Sequence, residues 1–119
     1  MIVYIAGPMR GHDFHNFPAF HDTADSLAML GHFPFDPAQR DLDEGFDPAH
    51  TIEEQSFDLA AALRCDLAFI VTVADGVVVL DGWETSRGAS LEVEVARACG
   101  KPIFTLTGDN LIPINLGEW

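Results

Sequence analysis

Apolar residues in this chain fall into two patterns. Short unbroken runs alternate with longer stretches in which apolar positions recur every three or four residues. Ile2 to Ile5 is a run of the first kind and predicts a buried strand, which Gly7-Pro8 stops; Gly7 to Asn16 then reads as a loop. Phe17 to Leu30 carries Phe20, Ala24, Leu27 and Leu30 at helical spacing, with Gly31 as the stop. His32 to Phe35 predicts a second strand, and the polar stretch Asp36 to Thr51 a long loop. Ile52 to Ala74 predicts a helix, opened by Thr51 with Glu54 three residues on, the spacing of a capping box. Gly76 to Leu80 is apolar and β-branched, as central parallel strands tend to be. Ser86 to Cys99 predicts a helix ended by Gly100, and Pro102 to Leu106 a fourth strand. Thr107 to Trp119 reads as an irregular tail.

Strands and helices therefore alternate. That order predicts an α/β fold over residues 1–119 as one domain: a doubly wound, mainly parallel sheet of Rossmann or flavodoxin type, with helices on both faces. Ligands of such sheets sit at the carboxyl ends of the strands, which singles out Ala6 to Gly11 and Asp81 to Ser86.

Composition narrows the partners. Six Lys and Arg stand against nineteen Asp and Glu, a formal net charge of -13. Such a surface repels nucleic-acid backbones and anionic membranes, so a small molecule is the expected partner, with no nucleic acid polymer and no membrane. Met1 leads directly into the first strand, and Arg64, Asp66 and Asp75 break the greasiest stretch, so a cytoplasmic location is expected. Cys65 and Cys99 fall among apolar residues and read as reduced core thiols. His12 and His15 are close in sequence, but no metal-ligand set is evident, and neither metal nor cofactor is expected.

Two carboxylates sit where apolar residues belong. The helical neighbours of Glu92 are Gly88, Ala89, Val95, Ala96 and Cys99; those of Asp66 are Ala62, Leu63, Phe69, Ile70 and Val73. Asp58 and Glu94, by contrast, have polar or charged neighbours and read as solvated. A carboxylate on an apolar face either satisfies a buried partner or does chemistry. A pair flanking one strand suits covalent chemistry at a sugar carbon, one acid attacking and the other handling protons. In the first loop, Gly7 and Gly11 allow close backbone approach, and Arg10 can clamp an anion. Ser86-Arg87-Gly88-Ala89 opens a helix whose free N–H groups can take a phosphate, while Ser86 on its own reads first as a plain N-cap.

YIAGPMRG, Asp66 before the third strand, DGWETSRGASLEVEVA and GKPIF together resemble the nucleoside 2-deoxyribosyltransferase superfamily. LDGWETSRGA, with Arg10-Gly11, Asn16, Phe20, Gly31 and Pro37, is similar to a small, mostly phage and bacterial branch of unassigned activity. The resemblance implies Glu92 as the nucleophile at C1′, Asp66 as the residue that orients the sugar and assists proton movement, and Tyr4 as the hydroxyl beside the nucleophile. Ser86 and the Gly7-Pro8-Met9-Arg10-Gly11 loop resemble the phosphate-binding parts of the related deoxynucleoside 5′-monophosphate N-glycosidases more than those of the transferases. Gly7, Met9, Arg10, Gly11, Trp83, Ser86 and Gly88 are thus the candidate substrate-binding residues, Trp83 as a base-stacking surface, though an aromatic in a turn as often covers a core edge. Trp83 and Glu84 depart from both characterised groups. The resemblance also implies a homodimer, with Asn110 and Asn115 as possible contributors from the tail. The expected activity is hydrolysis of a (deoxy)nucleoside 5′-monophosphate to base and sugar phosphate. The alternatives are base exchange, as in a deoxyribosyltransferase, and non-catalytic nucleotide binding.

Overall fold

Five strands and four α-helices make up the computed structural model, which describes all of residues 1–119. In chain order they are β1 (Ile2–Ala6), α1 (Phe17–Met29), β2 (Phe33–Phe35), α2 (Pro37–Asp43), α3 (Leu59–Thr72), β3 (Gly76–Val79), α4 (Arg87–Ala98), β4 (Ile103–Thr107) and β5 (Asn110–Pro113). The sheet order is β2-β1-β3-β4-β5. The first three pairings are parallel and β4–β5 is antiparallel. This is the expected α/β sheet with helices on both faces.

Strand alternation divides the core in two. Val3, Ile5 and Val78 point to one face, where Phe17, Phe20 and Leu27 of α1 and Ala38 of α2 cover them. Tyr4, Ala6, Val77 and Val79 point to the other, against Ile70 of α3 and Ala89, Val93 and Ala96 of α4. β1 and β3 are therefore buried on both sides, which explains their unbroken apolar runs. From β1 the chain leaves toward β2, and from β3 toward β4. The carboxyl ends of β1 and β3 thus flank the point where strand order reverses, and a crevice opens there.

Four expectations are corrected. Asp36 to Thr51 contains α2: Asp36 caps it, accepting from the N–H groups of Ala38 (2.9 Å) and Gln39 (3.2 Å), and Pro37 pre-sets the first turn. The helix expected from Ile52 begins only at Leu59. The Thr51–Glu54 box does form, but it closes a single turn, and Asp58, exposed as expected, caps α3 by accepting from Ala61 N–H at 2.9 Å. The tail is not wholly irregular. Gly108 takes φ +60 in the two-residue turn Gly108-Asp109 and folds β5 back on β4. The two thiols are also not core groups: Cys65 faces outward from α3, Cys99 ends α4, and both are exposed and free.

Candidate active site

A cavity of about 550 Å³ fills the crevice. Its wall takes in Tyr4 from β1, the Gly7–Arg10 turn, Asp41 from α2, Asp66 from α3, and Ser86, Gly88 and Glu92 from the start of α4. Seven of these positions were expected from the sequence as site residues, along with Met9 in the turn; Gly11 and Trp83 do not line the cavity. Gly11 supplies the turn with φ +80. Trp83 sits in a short 3₁₀ turn, Trp83–Thr85, and packs its ring on the core beneath α4, so it covers an apolar edge and offers no stacking face to the cavity. Gly7 serves packing: a Cβ there would lie 2.7 Å from the Leu80 side chain. Asn110 lies on the exposed β5, and Asn115 lines a separate shallow groove by the tail; neither reaches this cavity.

The short turn that follows the Gly7–Arg10 segment is held under strain. Phe14, His15 and Asn16 all have left-handed backbone, with φ of 51, 55 and 62. Side-chain bonds compensate: Asn16 Nδ2 donates to the Pro8 carbonyl at 2.9 Å, and His15 Nε2 meets the His50 carbonyl at 2.8 Å.

At the centre, Tyr4 is fully buried and its hydroxyl donates to Glu92 Oε2. Glu92 and Asp66 are 8% and 9% exposed, facing the same space. Arg40, in α2, reaches across to Asp66: its Nη2 donates to Asp66 Oδ1 at 2.9 Å and to the Ala62 carbonyl at 3.2 Å. Asp41, next in the chain and 8% exposed, adds a third carboxylate. Arg40 and Asp41 carry no signal of their own in the sequence, because the polar stretch around them reads as loop. Asp36-Pro37, a cap residue before proline, was the available sign of a helix there.

Three buried carboxylates face one guanidinium, and burial dominates the outcome. It pushes Glu92 from 4.5 up to about 8; the Tyr4 hydrogen bond opposes the rise, while Asp66 and Asp41 add to it. Burial also raises Asp66 to about 7 against the pull of Arg40, and Asp41 to about 6. Tyr4 is driven well above 10.0 by burial and by the Glu92 and Asp66 charges. The cluster therefore stores protons at neutral pH, and its members titrate as one coupled set.

The opposite end of the cavity is cationic. Arg40 is bound to Asp66, Arg97 to Glu94 and to tail carbonyls, and Lys101 to the carbonyls of Ile70 and Val71. Of the other three cations, Arg10, Arg64 and Arg87, two line the cavity: Arg10 and Arg87. They flank the start of α4, where Ser86 Oγ accepts from Ala89 N–H at 3.2 Å. The N–H groups of Arg87 and Gly88 have no backbone partner there. A Cβ at Gly88 would meet no protein atom, so the space above these N–H groups is open. Paired carboxylates at one end and an arginine-lined helix start at the other can hold a molecule with a reactive carbon and an anionic group.

No helix is long and apolar enough to cross a membrane. No curated protein matches the sequence. Among solved structures, the fold is similar to a 2-deoxyribosyltransferase from the psychrotolerant bacterium Bacillus psychrosaccharolyticus, described as a biocatalyst for synthesis of antiviral and antitumoral nucleosides. The two share 22% identity with a TM-score of 0.55 over 98% of this chain and 78% of that one. That likeness carries the fold alone: the two chains share a mainly parallel α/β sheet. Residues 1–105 match the model of a family described as a domain of unknown function, DUF4406, and the chain belongs to that family.

Proposed function

We propose that this protein cleaves the N-glycosidic bond of a (deoxy)nucleoside 5′-monophosphate, with Glu92 as nucleophile, Asp66 as proton carrier and Tyr4 as the group that orients Glu92. The observation that carries the reading is the convergence of Glu92, Asp66 and the Tyr4 hydroxyl on one cavity.

Bond changes follow from those positions. The C1′–N bond breaks and its electron pair goes to the base nitrogen. Protonated Asp66 supplies the proton that lets the base leave neutral. A Glu92 carboxylate oxygen bonds to C1′, shielding the positive charge that builds there. Water then attacks C1′, gives one proton to the Asp66 carboxylate and expels Glu92, leaving sugar 5-phosphate. The reaction proceeds from the form of the coupled pair in which the proton sits on Asp66; the Tyr4 hydrogen bond favours that form by lowering Glu92, while the burial that raises Glu92 toward about 8 opposes it. Arg10, Arg87 and the start of α4 favour a phosphate-bearing substrate.

Base exchange is the second reading, and it is favoured by the fold shared with a 2-deoxyribosyltransferase. A panel of nucleosides and nucleoside monophosphates, chromatographed for free base with and without an acceptor base, separates the two. The expected result is base release from monophosphates only, lost by at least about a thousandfold in Glu92→Gln with folding intact. Full activity in Glu92→Gln removes the nucleophile assignment. Incorporation of the added base favours exchange. Binding with no base released over hours leaves a non-catalytic nucleotide binder.

A further inference from the structure

Glu92 is a buried carboxylate with no cation beside it. Its hydrogen-bond partner is the neutral Tyr4 hydroxyl, and no lysine, arginine or histidine pairs with it. Asp66 has Arg40, whose Nη2 also donates to the Ala62 carbonyl. Asp41 Oδ1 lies 3.0 Å from that same Nη2 and accepts no hydrogen bond. Three carboxylates on one cavity wall thus share one guanidinium, and when all are ionised two negative charges are in excess. Buried charge has to be paired or neutralised. Within the protein alone, bound protons neutralise it. A cation entering the cavity can take their place.

The other end has the opposite sign. Arg10 and Arg87 line it beside the open N–H groups at the start of α4. His12, from the same turn as Arg10, is the remaining ionisable group on the wall. Four residues separate Gly88 from Glu92, about 6 Å along the helix axis, a distance that one sugar ring covers between its 5′-phosphate and C1′. A phosphate at the start of α4 therefore sets C1′ near Glu92 and sends the base on toward Asp66 and Asp41. Pro37 of α2 and Leu59 and Leu63 of α3 supply apolar walls suited to a flat ring. Such walls also lengthen the reach of the charges.

We infer that the cavity is built for a zwitterionic nucleotide, with its 5′-phosphate at the arginine end and a base of fixed positive charge, such as a pyridinium or an N-alkylated purine, at the carboxylate end. The selection is by charge and needs no hydrogen bond to the base: the three carboxylates act together across a wall of low polarity. Such a base changes the bond chemistry in one place. The C1′–N electron pair goes into the charged ring and cancels its charge, so the base leaves neutral without receiving a proton. Glu92 and Asp66 can then both be ionised at the start, and Asp66 only takes the proton that water gives up in the second step. A neutral base needs the proton on Asp66 first.

The inference rests on the cavity being a nucleotide site, and its test is a binding measurement that needs no turnover. Nicotinamide mononucleotide, whose base is a pyridinium, is titrated calorimetrically into the full chain carrying Glu92→Gln, which keeps Asp66 and Asp41. Its carbon-linked benzamide analogue, with the same amide, sugar and phosphate but an uncharged ring, is titrated beside it. The cationic nucleotide is expected to bind at least about tenfold tighter. Repeating both titrations in buffers of different ionisation enthalpy is expected to show more proton release with the cationic nucleotide than with the analogue. Equal or weaker binding of the cationic nucleotide overturns the inference, as does equal proton release, or no binding of either. Where Glu92→Gln fails to fold, the shift in melting temperature of the wild-type chain with each ligand makes the same comparison. Base release by the wild-type chain, from nicotinamide mononucleotide and from nucleotides of neutral bases, is followed in parallel. Charge preference without base release sustains the zwitterion site and removes the glycosidic chemistry; base release without charge preference does the reverse.

Discussion

At the scale of single residues, the cavity trades stability for chemistry, and Glu92 carries the largest share. In the folded chain Glu92 holds its proton up to about 8, whereas an ordinary glutamate releases it near 4.5. Between those values the folded state binds a proton that the unfolded state has lost. Stability is therefore fully present below 4.5 and drains away as pH rises through about 8. Glu92→Gln keeps the shape and still accepts from Tyr4, but it cannot ionise. Its melting temperature is expected to match wild type near pH 4.5 and to exceed it clearly above pH 8. The whole shift converts to about 4–5 kcal/mol at roughly 1.36 kcal/mol per unit, a ceiling because Asp66 and Asp41 share the protons. Thermal denaturation of both proteins across that pH range checks it; a constant gap at all pH values removes the burial argument. The same variant loses activity, so one substitution reports both sides of the trade.

At the scale of elements, α2 decides how well the site is held, because it delivers both Arg40 and Asp41. Its seven residues are too few to stand alone, so the cap matters. Asp36 accepts from two α2 amides, and its other oxygen lies 2.7 Å from His21 Nδ1 on α1. Asp36→Ala is expected to cost about 1 kcal/mol, a fall of roughly 4 °C in melting temperature, and to slow base release by loosening the Arg40–Asp66 pair one turn on. Asp36→Asn, which keeps an acceptor oxygen, should recover most of both. An Ala variant that melts lower yet turns over normally would show that α2 does not position the carboxylates. This element also marks the limit of what the sequence made legible. The sheet could be read because β1 and β3 are buried on both faces, which leaves uninterrupted apolar runs, and Glu92 and Asp66 could be read because an acid on an apolar helix face breaks a strong pattern. α2 is short, polar and bounded by prolines, so periodicity had nothing to register, and Arg40 and Asp41 were hidden with it. Trp83 was misplaced for a related reason: a turn position does not say whether a ring faces a cavity or the core.

At the scale of the whole molecule, the distribution of charge sets how an anion arrives. Nineteen acids against six bases leave -13, spread over a body of 39 × 29 × 24 Å. In about 10 mM salt the screening length is about 30 Å, so each charge feels the entire molecule; in about 100 mM it shrinks to about 10 Å. Two effects follow with the same sign. Self-repulsion is relieved by salt, so the melting temperature should rise over that range, by several degrees for a relief of about 1 kcal/mol. The approach of a phosphate-bearing substrate should also speed up, because salt weakens the long-range repulsion from the whole surface more than the short-range attraction of Arg10 and Arg87 at the cavity. This is opposite to the behaviour of enzymes that steer their substrates electrostatically. The measurement is kcat/KM for a nucleoside 5′-monophosphate across that salt range, beside the calorimetric binding affinity of the neutral nucleoside as reference. A rise for the monophosphate with a flat response for the nucleoside is expected. A steep fall for the monophosphate would mean that the two arginines and the start of α4 govern the field well beyond the cavity mouth, and that the acidic surface lies too far around the molecule to matter for capture.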